Sequence, residues 1–418
     1  MTSRYTPDLH RAGNALCLSG GGFRAALFHL GALRRLNEVG LLSKLNTISS
    51  VSGGSVANGL LAKVWKDLTP DAIGVFTNLE EVYEKPLRKF CGHDIRTGVL
   101  LTDRLNPLKW PSLIGNDHSA TDFLSHTYQD DLVGNLCLKD LAAIADKGGP
   151  NFVFDTSNLQ TGVNFVFGGK GAGDYQIGYA KAPDILVADA IAASSAFPIA
   201  FPPLVLKFER GAFNGGELEK HDPGSAELDK MRRRVVLTDG GVYDNLGLEP
   251  VWKSHKLVLC SDGGKPFLID PDPGTVIHSR LLRCQDVIGN QALAVRKRWF
   301  IASVDKTAGN GGHLYDGAYW GIGTEIDLYP RHGHGYSGPV LDRLRAVRTD
   351  FDAFSQAEQL VLMNHGWALA DAALRSYLAG SLPATIPDGK VPDKSLVDPG
   401  AATAALAESD NTKPFGRA

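Results

Sequence analysis

The sequence predicts an α/β protein whose central, largely parallel sheet is covered by helices on both faces, and three observations carry that expectation. Short apolar runs such as "NALCLS" (14–19), "RRRVVLTD" (232–239) and "HKLVLCSD" (255–262) read as fully buried strands. Helical periodicity follows the first run, with Phe23, Leu27, Leu30, Leu33 and Leu36 three to four residues apart. Glycines join strand to helix twice in the first sixty residues, at "SGGG" (19–22) and at "VSGG" (51–54).

The remaining elements follow in order. "KLNTISSVS" (44–52) is a second β-branched strand, and Val56, Leu60, Val64 and Leu68 continue at helical spacing. From about Glu81 to Pro150 the texture becomes mixed and includes Pro86, Pro107 and Pro111, the mark of an insertion of helices and loops. Within it, "GVLLTDRLNPLKWPSLIG" (98–115) suits a lid, an interfacial contact or satellite core. "NFVFDTSNLQTGVNFVFG" (151–168) reads as two paired strands with a turn between them, and "GELEKHDPGSAELDKMRR" (216–233) as a solvated charged excursion. Near the end, "SQAEQ" marks a helix start with Ser355 as its cap. One domain is expected over 1–382, with a flexible tail over 383–418 that is rich in Pro, Ala, Asp and Ser.

The 418 residues carry a formal net charge of −3, so no overall basic field draws the chain to nucleic acid or to an anionic membrane. Any membrane-surface contact is therefore expected to be local and transient. "MTSRYTPDLHRAGN" lacks the apolar core of a signal peptide, and no run of about 18 apolar residues is present, which points to a soluble, cytoplasmic protein. Cys17, Cys91, Cys137, Cys260 and Cys284 show neither C-x-x-C nor Cys/His ligand spacing, so most are expected to be buried thiols, with no disulfide framework or metal.

Glycines between a strand and a helix leave backbone N–H groups free to bind an anion. Gly20, Gly22 and Ala25 satisfy the dinucleotide pattern G-x-G-x-x-G/A, yet the second strand ends in "ISSVSGGS" without the acidic residue that holds a ribose. A P-loop is worse served, because no Lys follows in the G-K-[ST] arrangement. An oxyanion needs a nucleophile on a neighbouring tight turn, and Ser50-Val51-Ser52-Gly53-Gly54 is a G-x-S-x-G elbow with Ser50 replacing the first glycine. A serine also needs a base. Asp239 and Asp262 each end an apolar strand before Gly-Gly, while His332 and His334 in "RHGHGYSG" would complete the order Ser, Asp, His. On chemistry alone both a carboxylate base and a histidine base stay open.

Four blocks in this order resemble the patatin-like phospholipase family over most of the chain to about Leu382: Gly20-Gly21-Gly22-Phe23-Arg24, Ser50 to Gly54, "AIAASSAFPIAFPP" (190–203) and Asp239-Gly240-Gly241. The resemblance implies a three-layer α/β/α fold and a lipid acyl hydrolase of the phospholipase A or lysophospholipase type, without metal or organic cofactor. It implies Ser52 as nucleophile, Asp239 as its base, and Gly20, Gly21 and Gly22 as the oxyanion loop. Ser50, Gly54, Gly240 and Gly241 would shape the two turns. Arg24 would contact a lipid phosphate or cap nearby carbonyls, and Asp244 and Asn245 would shape the turn after the aspartate. Two other functions are compatible with the residues: an effector of the same fold that is silent until triggered, and a nucleotide-binding protein using the Gly20–Gly22 loop.

Overall fold

A computed structural model gives the architecture. It describes residues 11–96, 120–198, 201–274, 276–305, 314–378 and 386–407, with the backbone of 412–413 and 416–417. The main sheet has eleven strands: β1 Asn14–Leu18, β2 Thr47–Val51, β3 Asn151–Asn158, β4 Val163–Gly168, β5 Gly171–Asp174, β6 Gly178–Ala180, β7 Leu204–Lys207, β8 Phe213–Asn214, β9 Arg234–Asp239, β10 Leu257–Asp262 and β11 Asp316–Gly321. Its order is β11-β10-β1-β2-β3-β4-β5-β6-β8, with β9 bridging β3 and β7. The five strands β11, β10, β1, β2 and β3 are parallel, and every pairing beyond β3 in the main sheet is antiparallel. The paired strands expected over 151–168 are the β3–β4 hairpin.

Alternation along β1 sets the layers. Leu16 and Leu18 join the core on one face, whereas Ala15 and Cys17 join a second core on the other with Leu246, Val258 and Phe300. The first face carries α1 (Gly22–Glu38) and α2 (Gly53–Val64), and the second carries part of a long crossover helix. The described parts of 81–150 are helices joined by short turns, with α3 at Lys85–Cys91, α4 at Ala120–Tyr128 and α5 at Leu138–Asp146, and the segment 98–115 lies outside the described residues. Further on come α6 (Val187–Ser194), α7 (Ile277–Val304), α8 (Gly338–Ala346), α9 (Gln356–Tyr377) and α10 (Pro399–Ala405). Helix α9 opens with the expected Ser355 cap, in a reciprocal capping box with Glu358. It packs on α1 so closely that a Cβ on Gly31 would lie 1.9 Å from the Met363 carbonyl oxygen.

The expected flexible tail does not hold over 386–407. Val391, Ala402 and Leu406 are buried, and the Asn364 side chain exchanges two hydrogen bonds with the backbone of Asp393, at 2.7 and 2.9 Å. These apolar side chains are too widely spaced to produce a periodic signal, yet they are enough to dock the segment on the helices that precede it.

The registers explain where the site forms. β3 pairs with β4 along one edge, so its other edge takes β2 opposite 151–155 and then β9 opposite 156–158. β2 runs parallel to β3 and ends with Val51 opposite Asp155, while β9 runs the other way and ends with Asp239 opposite Thr156. Two strands thus arrive head-on along one edge. Each leaves the sheet where it meets the other, β2 into Ser52 and β9 into Gly240.

Candidate active site

Ser52 caps α2 with φ 51° and ψ −118°, a left-handed conformation that L residues rarely adopt and that costs on the order of 1–3 kcal/mol. The turn is held open for it by missing side chains. A Cβ on Gly53 would stand 2.0 Å from the Gly22 carbonyl oxygen, and one on Gly54 would stand 2.4 Å from that of Leu18. Ser194, at the end of α6, fixes the backbone: its hydroxyl accepts the Ser52 N–H at 2.9 Å and donates to the Asp155 carbonyl at 2.7 Å. Ser50, which stands where an elbow glycine is expected, is accommodated because its hydroxyl donates to the Val153 carbonyl and accepts from Asn58, at 3.0 and 2.9 Å.

The Asp239 carboxylate accepts the Gly241 N–H at 2.7 Å, and the Ser52 side chain lies near enough to oppose the rise of its pKa. The Asp239 N–H is donated to the Ala196 carbonyl at 3.1 Å, and the Gly240 N–H goes to that of Ser194. Burial pushes the Asp239 carboxyl up to about 7, with the Gly241 and Ser52 donors pulling it partly back. It therefore changes charge near neutrality, where a base for a serine hydroxyl is most useful. Gly240 allows the approach, since a Cβ there would lie 2.4 Å from the Asp155 carbonyl oxygen.

The glycine loop lies against this pair. A Cβ on Gly20 would fall 3.1 Å from the Ser52 Cβ, and Gly21 and Gly22 adopt φ 142° and 61°. The loop opens α1 as the elbow opens α2, so two helix N-termini converge at Ser52. Among the described residues the Gly21, Gly22 and Gly53 N–H groups have no acceptor, so they are free to bind negative charge. The Gly20 N–H is not. It is donated to the Asn245 carbonyl at 3.1 Å, which makes Gly20 a turn former rather than an oxyanion donor.

The sequence matches the family described as Patatin-like phospholipase over residues 16–252. The chain belongs to that family. Among solved structures, human GIVD cytosolic phospholipase A2 is similar, with a TM-score of 0.50 at 13% identity over 94% of this chain and 60% of that one. VipD from Legionella pneumophila also aligns, with a TM-score of 0.35 at 14% identity over 89% of this chain and 68% of that one. This chain thus spans about three-fifths of the human structure it matches, and at these identities the likeness concerns the fold. No curated protein matches the sequence.

Other sequence-nominated residues of the patatin-like chain fall into place around the pair. Arg24 is fully buried, with its guanidinium on the carbonyls of Gly263, at 2.9 and 3.3 Å, and Val347, at 2.8 Å. It caps carbonyls and is not placed to meet a lipid phosphate, because each of its three nitrogens donates to a carbonyl and solvent does not reach it. Asp244 accepts the N–H groups of Leu246, Leu248 and Glu249 and shapes the turn as expected. His332 and His334 line a separate cavity of about 570 Å³ with Trp367, Asp371, Arg375 and Asp388. Among the described residues no hydrogen bond joins either imidazole to Ser52, whereas Ser52 lies near enough to the Asp239 carboxyl to lower its pKa.

Sequence reasoning missed the supports. His29 is buried between the Ser261 hydroxyl and the Ser19 carbonyl, at 2.8 and 2.9 Å, and burial lowers its pKa to about 4. The neutral ring therefore donates from Nε2 to that carbonyl and accepts at Nδ1, steadying the start of the glycine loop. Asp350 holds the other side: its carbonyl takes the Phe23 N–H at 3.0 Å and its carboxylate pairs with Arg96. Only the "ASS" letters of the third block signalled Ser194, and nothing in the sequence distinguished its task from that of Ser195 beside it.

Proposed function

We propose that this protein is a serine acyl hydrolase that cleaves carboxylic esters of phospholipids or lysophospholipids through Ser52 and Asp239. The observation that carries the reading is Ser52, held at a strained elbow between two helix N-termini, beside the buried Asp239 carboxyl whose pKa is raised to about 7. Family membership supports the substrate class.

In this mechanism Ser52 Oγ forms a bond to the ester carbonyl carbon as Asp239 takes its proton. The carbonyl π electrons move onto oxygen, where the Gly21, Gly22 and Gly53 N–H groups receive the charge, each such donor being worth about 3 kcal/mol. Collapse of this intermediate breaks the carbon–oxygen bond to the alcohol, which leaves with the proton from Asp239. Water then repeats the sequence on the acyl-Ser52 ester, giving the fatty acid and restoring the hydroxyl. The strain at Ser52 presents Oγ before substrate arrives, so its cost is met during folding. The described site requires no metal or organic group for these steps.

The test is product analysis on a mixed phospholipid extract, combined with labelling by a fluorophosphonate probe. Wild type is expected to release fatty acid and take the label, and Ser52→Ala to do neither. Full ester hydrolysis by Ser52→Ala, folded by circular dichroism, overturns the proposal.

A further inference from the structure

The chain beyond β10 runs alongside the glycine loop. Ser50, Leu18 and Ser261 stand side by side across β2, β1 and β10, so two residues further on Ser52, Gly20 and Gly263 leave the carboxyl edge of the sheet together. They remain close. The Gly263 N–H donates to the Ser19 hydroxyl at 2.8 Å, and a Cβ on Gly21 would lie 2.7 Å from the Gly263 carbonyl oxygen. A Cβ on Gly264 would lie 2.9 Å from the Asn245 amide nitrogen and 3.6 Å from the Gly20 carbonyl oxygen. Ser52 and this loop are two strands apart, on the order of 10 Å, with Gly21 and Gly22 between them. The next residue is Lys265, beyond the edge of the sheet.

Lys265 is exposed and forms no hydrogen bond or ion pair with the described residues. The cations around it are engaged. Arg24 is on its carbonyls, Lys297 faces Asp262 at 3.5 Å, Arg296 faces Glu249 at 3.2 Å, and Arg283 donates to the Leu268 carbonyl at 3.1 Å. Of the nearby carboxylates, Asp262 takes the Tyr319 hydroxyl and the Gly264 N–H, and Asp244 takes the N–H groups of Leu246, Leu248 and Glu249. Asp286 on α7 acts on Lys265 from beyond ion-pair distance. From 265 to 286 the charges balance, Lys265, Arg280 and Arg283 against Asp270, Asp272 and Asp286, so no general basic field stands here. What the surroundings leave is one ammonium without a close counter-charge. Partial burial and the nearby Arg24 lower its pKa, with Asp286 pulling it partly back, so an anion at its side would relieve the penalty.

We propose that Lys265 determines specificity by holding the phosphate of a phospholipid or lysophospholipid whose ester carbonyl lies over Ser52, so that phosphate-bearing esters are preferred to neutral acylglycerols. The proposal rests on the reading of Ser52 as the nucleophile of a lipid hydrolase. In such a lipid the phosphorus lies about five or six bonds from the carbonyl carbon, roughly 6–7 Å when extended. The carbonyl oxygen points to the Gly21 and Gly22 N–H groups, and the glycerol carries the phosphate across them towards the loop after β10. The four-carbon stem of Lys265 covers the remaining distance, and its ammonium, a point charge, accepts a phosphate in any orientation. The phosphate is thus met beyond the glycine loop, by the residue that follows the second Asp-Gly-Gly triplet, and not by the Arg24 buried beneath it.

The test compares kcat/KM for a short-chain lysophosphatidylglycerol with that for the monoacylglycerol of the same chain, both monomeric in solution. The ratio of the two is expected to fall about tenfold in Lys265→Ala, to fall further in Lys265→Glu and to be largely kept in Lys265→Arg. An unchanged ratio in Lys265→Ala overturns the proposal, whether both esters keep their rates or lose them equally. So does a ratio that falls as far in Lys265→Arg as in Lys265→Ala, because charge would then not be what is read. Calorimetric titration of full-length Ser52→Ala protein with the same lysophospholipid reads binding without turnover, and adding Lys265→Ala is expected to weaken it about tenfold. Inorganic phosphate that displaces the lysophospholipid at equal concentration would assign the ammonium to a free anion and overturn the proposal. If binding depends on Lys265 as expected but wild type cleaves neither ester, the phosphate contact stands and the hydrolase reading falls.

Discussion

Two Asp-Gly-Gly triplets end successive apolar strands of this chain, β9 and β10, and they do different things. Asp239 and Asp262 each accept the N–H of the second residue following, at 2.7 and 2.9 Å, so the local turn is the same. Asp262 then takes the Tyr319 hydroxyl at 2.6 Å and faces Lys297 at 3.5 Å. Asp239 has Ser52 beside it instead, in a setting where burial raises its carboxyl to about 7. One carboxylate is a structural anchor for β11 and α7, and in the proposed mechanism the other exchanges a proton. What distinguishes them is the direction of their strands: β10 lies within the parallel set, whereas β9 runs antiparallel into the end of β2.

The largest test of this contrast is in the chemistry. Asp239→Asn is expected to lower kcat/KM by about 10²–10⁴, as loss of a general base does, while Asp262→Asn changes it only a few-fold. Steady-state hydrolysis of a soluble ester measures both. An equal loss in the two variants would erase the functional distinction between the triplets.

A second test is the pH dependence, in which activity and stability move in opposite directions. Activity should fall as pH drops below about 7, because the base is then protonated. Stability has the other sign: between about 4, the ordinary value, and about 7 the folded protein keeps a proton that the unfolded chain has released. Asp239 therefore costs stability as pH rises through that window, on the order of a few kcal/mol above it. Asp239→Asn should melt higher than wild type at pH 8, with the gap closing towards pH 4. A gap independent of pH in thermal melts would mean that Asp239 is not the group that titrates.

Smaller effects probe the supports of the second triplet. Arg24→Met strips donors from the carbonyls of Gly263 and Val347 and is expected to cost about 1–3 kcal/mol in denaturant titrations. Its ranking of phospholipid headgroups should stay that of wild type, and a changed ranking would restore the phosphate role. Tyr319→Phe, which removes one neutral donor from Asp262, is expected to cost about 1–3 kcal/mol with kcat unchanged.

Much of this was legible in the letters. The buried runs and the two glycine turns identified the parallel half of the sheet, and the family blocks nominated Ser52 and Asp239, because each is a local pattern with a local cause. Three features were not. The antiparallel arrival of β9 depends on pairing with β3, which no spacing around Asp239 encodes. Arg24 follows the glycines in either of its roles, and only the carbonyls brought to it from 263 and 347 decide between them. The docked segment 386–407 has the composition of a tail, and its few apolar anchors matter only once α9 provides a surface for them.

The head-on meeting of β2 and β9 also has a consequence for biosynthesis. A ribosome delivers Ser52 early, on a strand–turn–helix unit with the glycine loop already beside it in the chain. Its partner follows only after β3, the rail along which both strands align, and after residue 239 has emerged. Until then the growing polypeptide holds Ser52 without Asp239. Any chemistry that needs both residues waits for a long-range strand pairing, so the order of synthesis sets when the proposed site can first assemble.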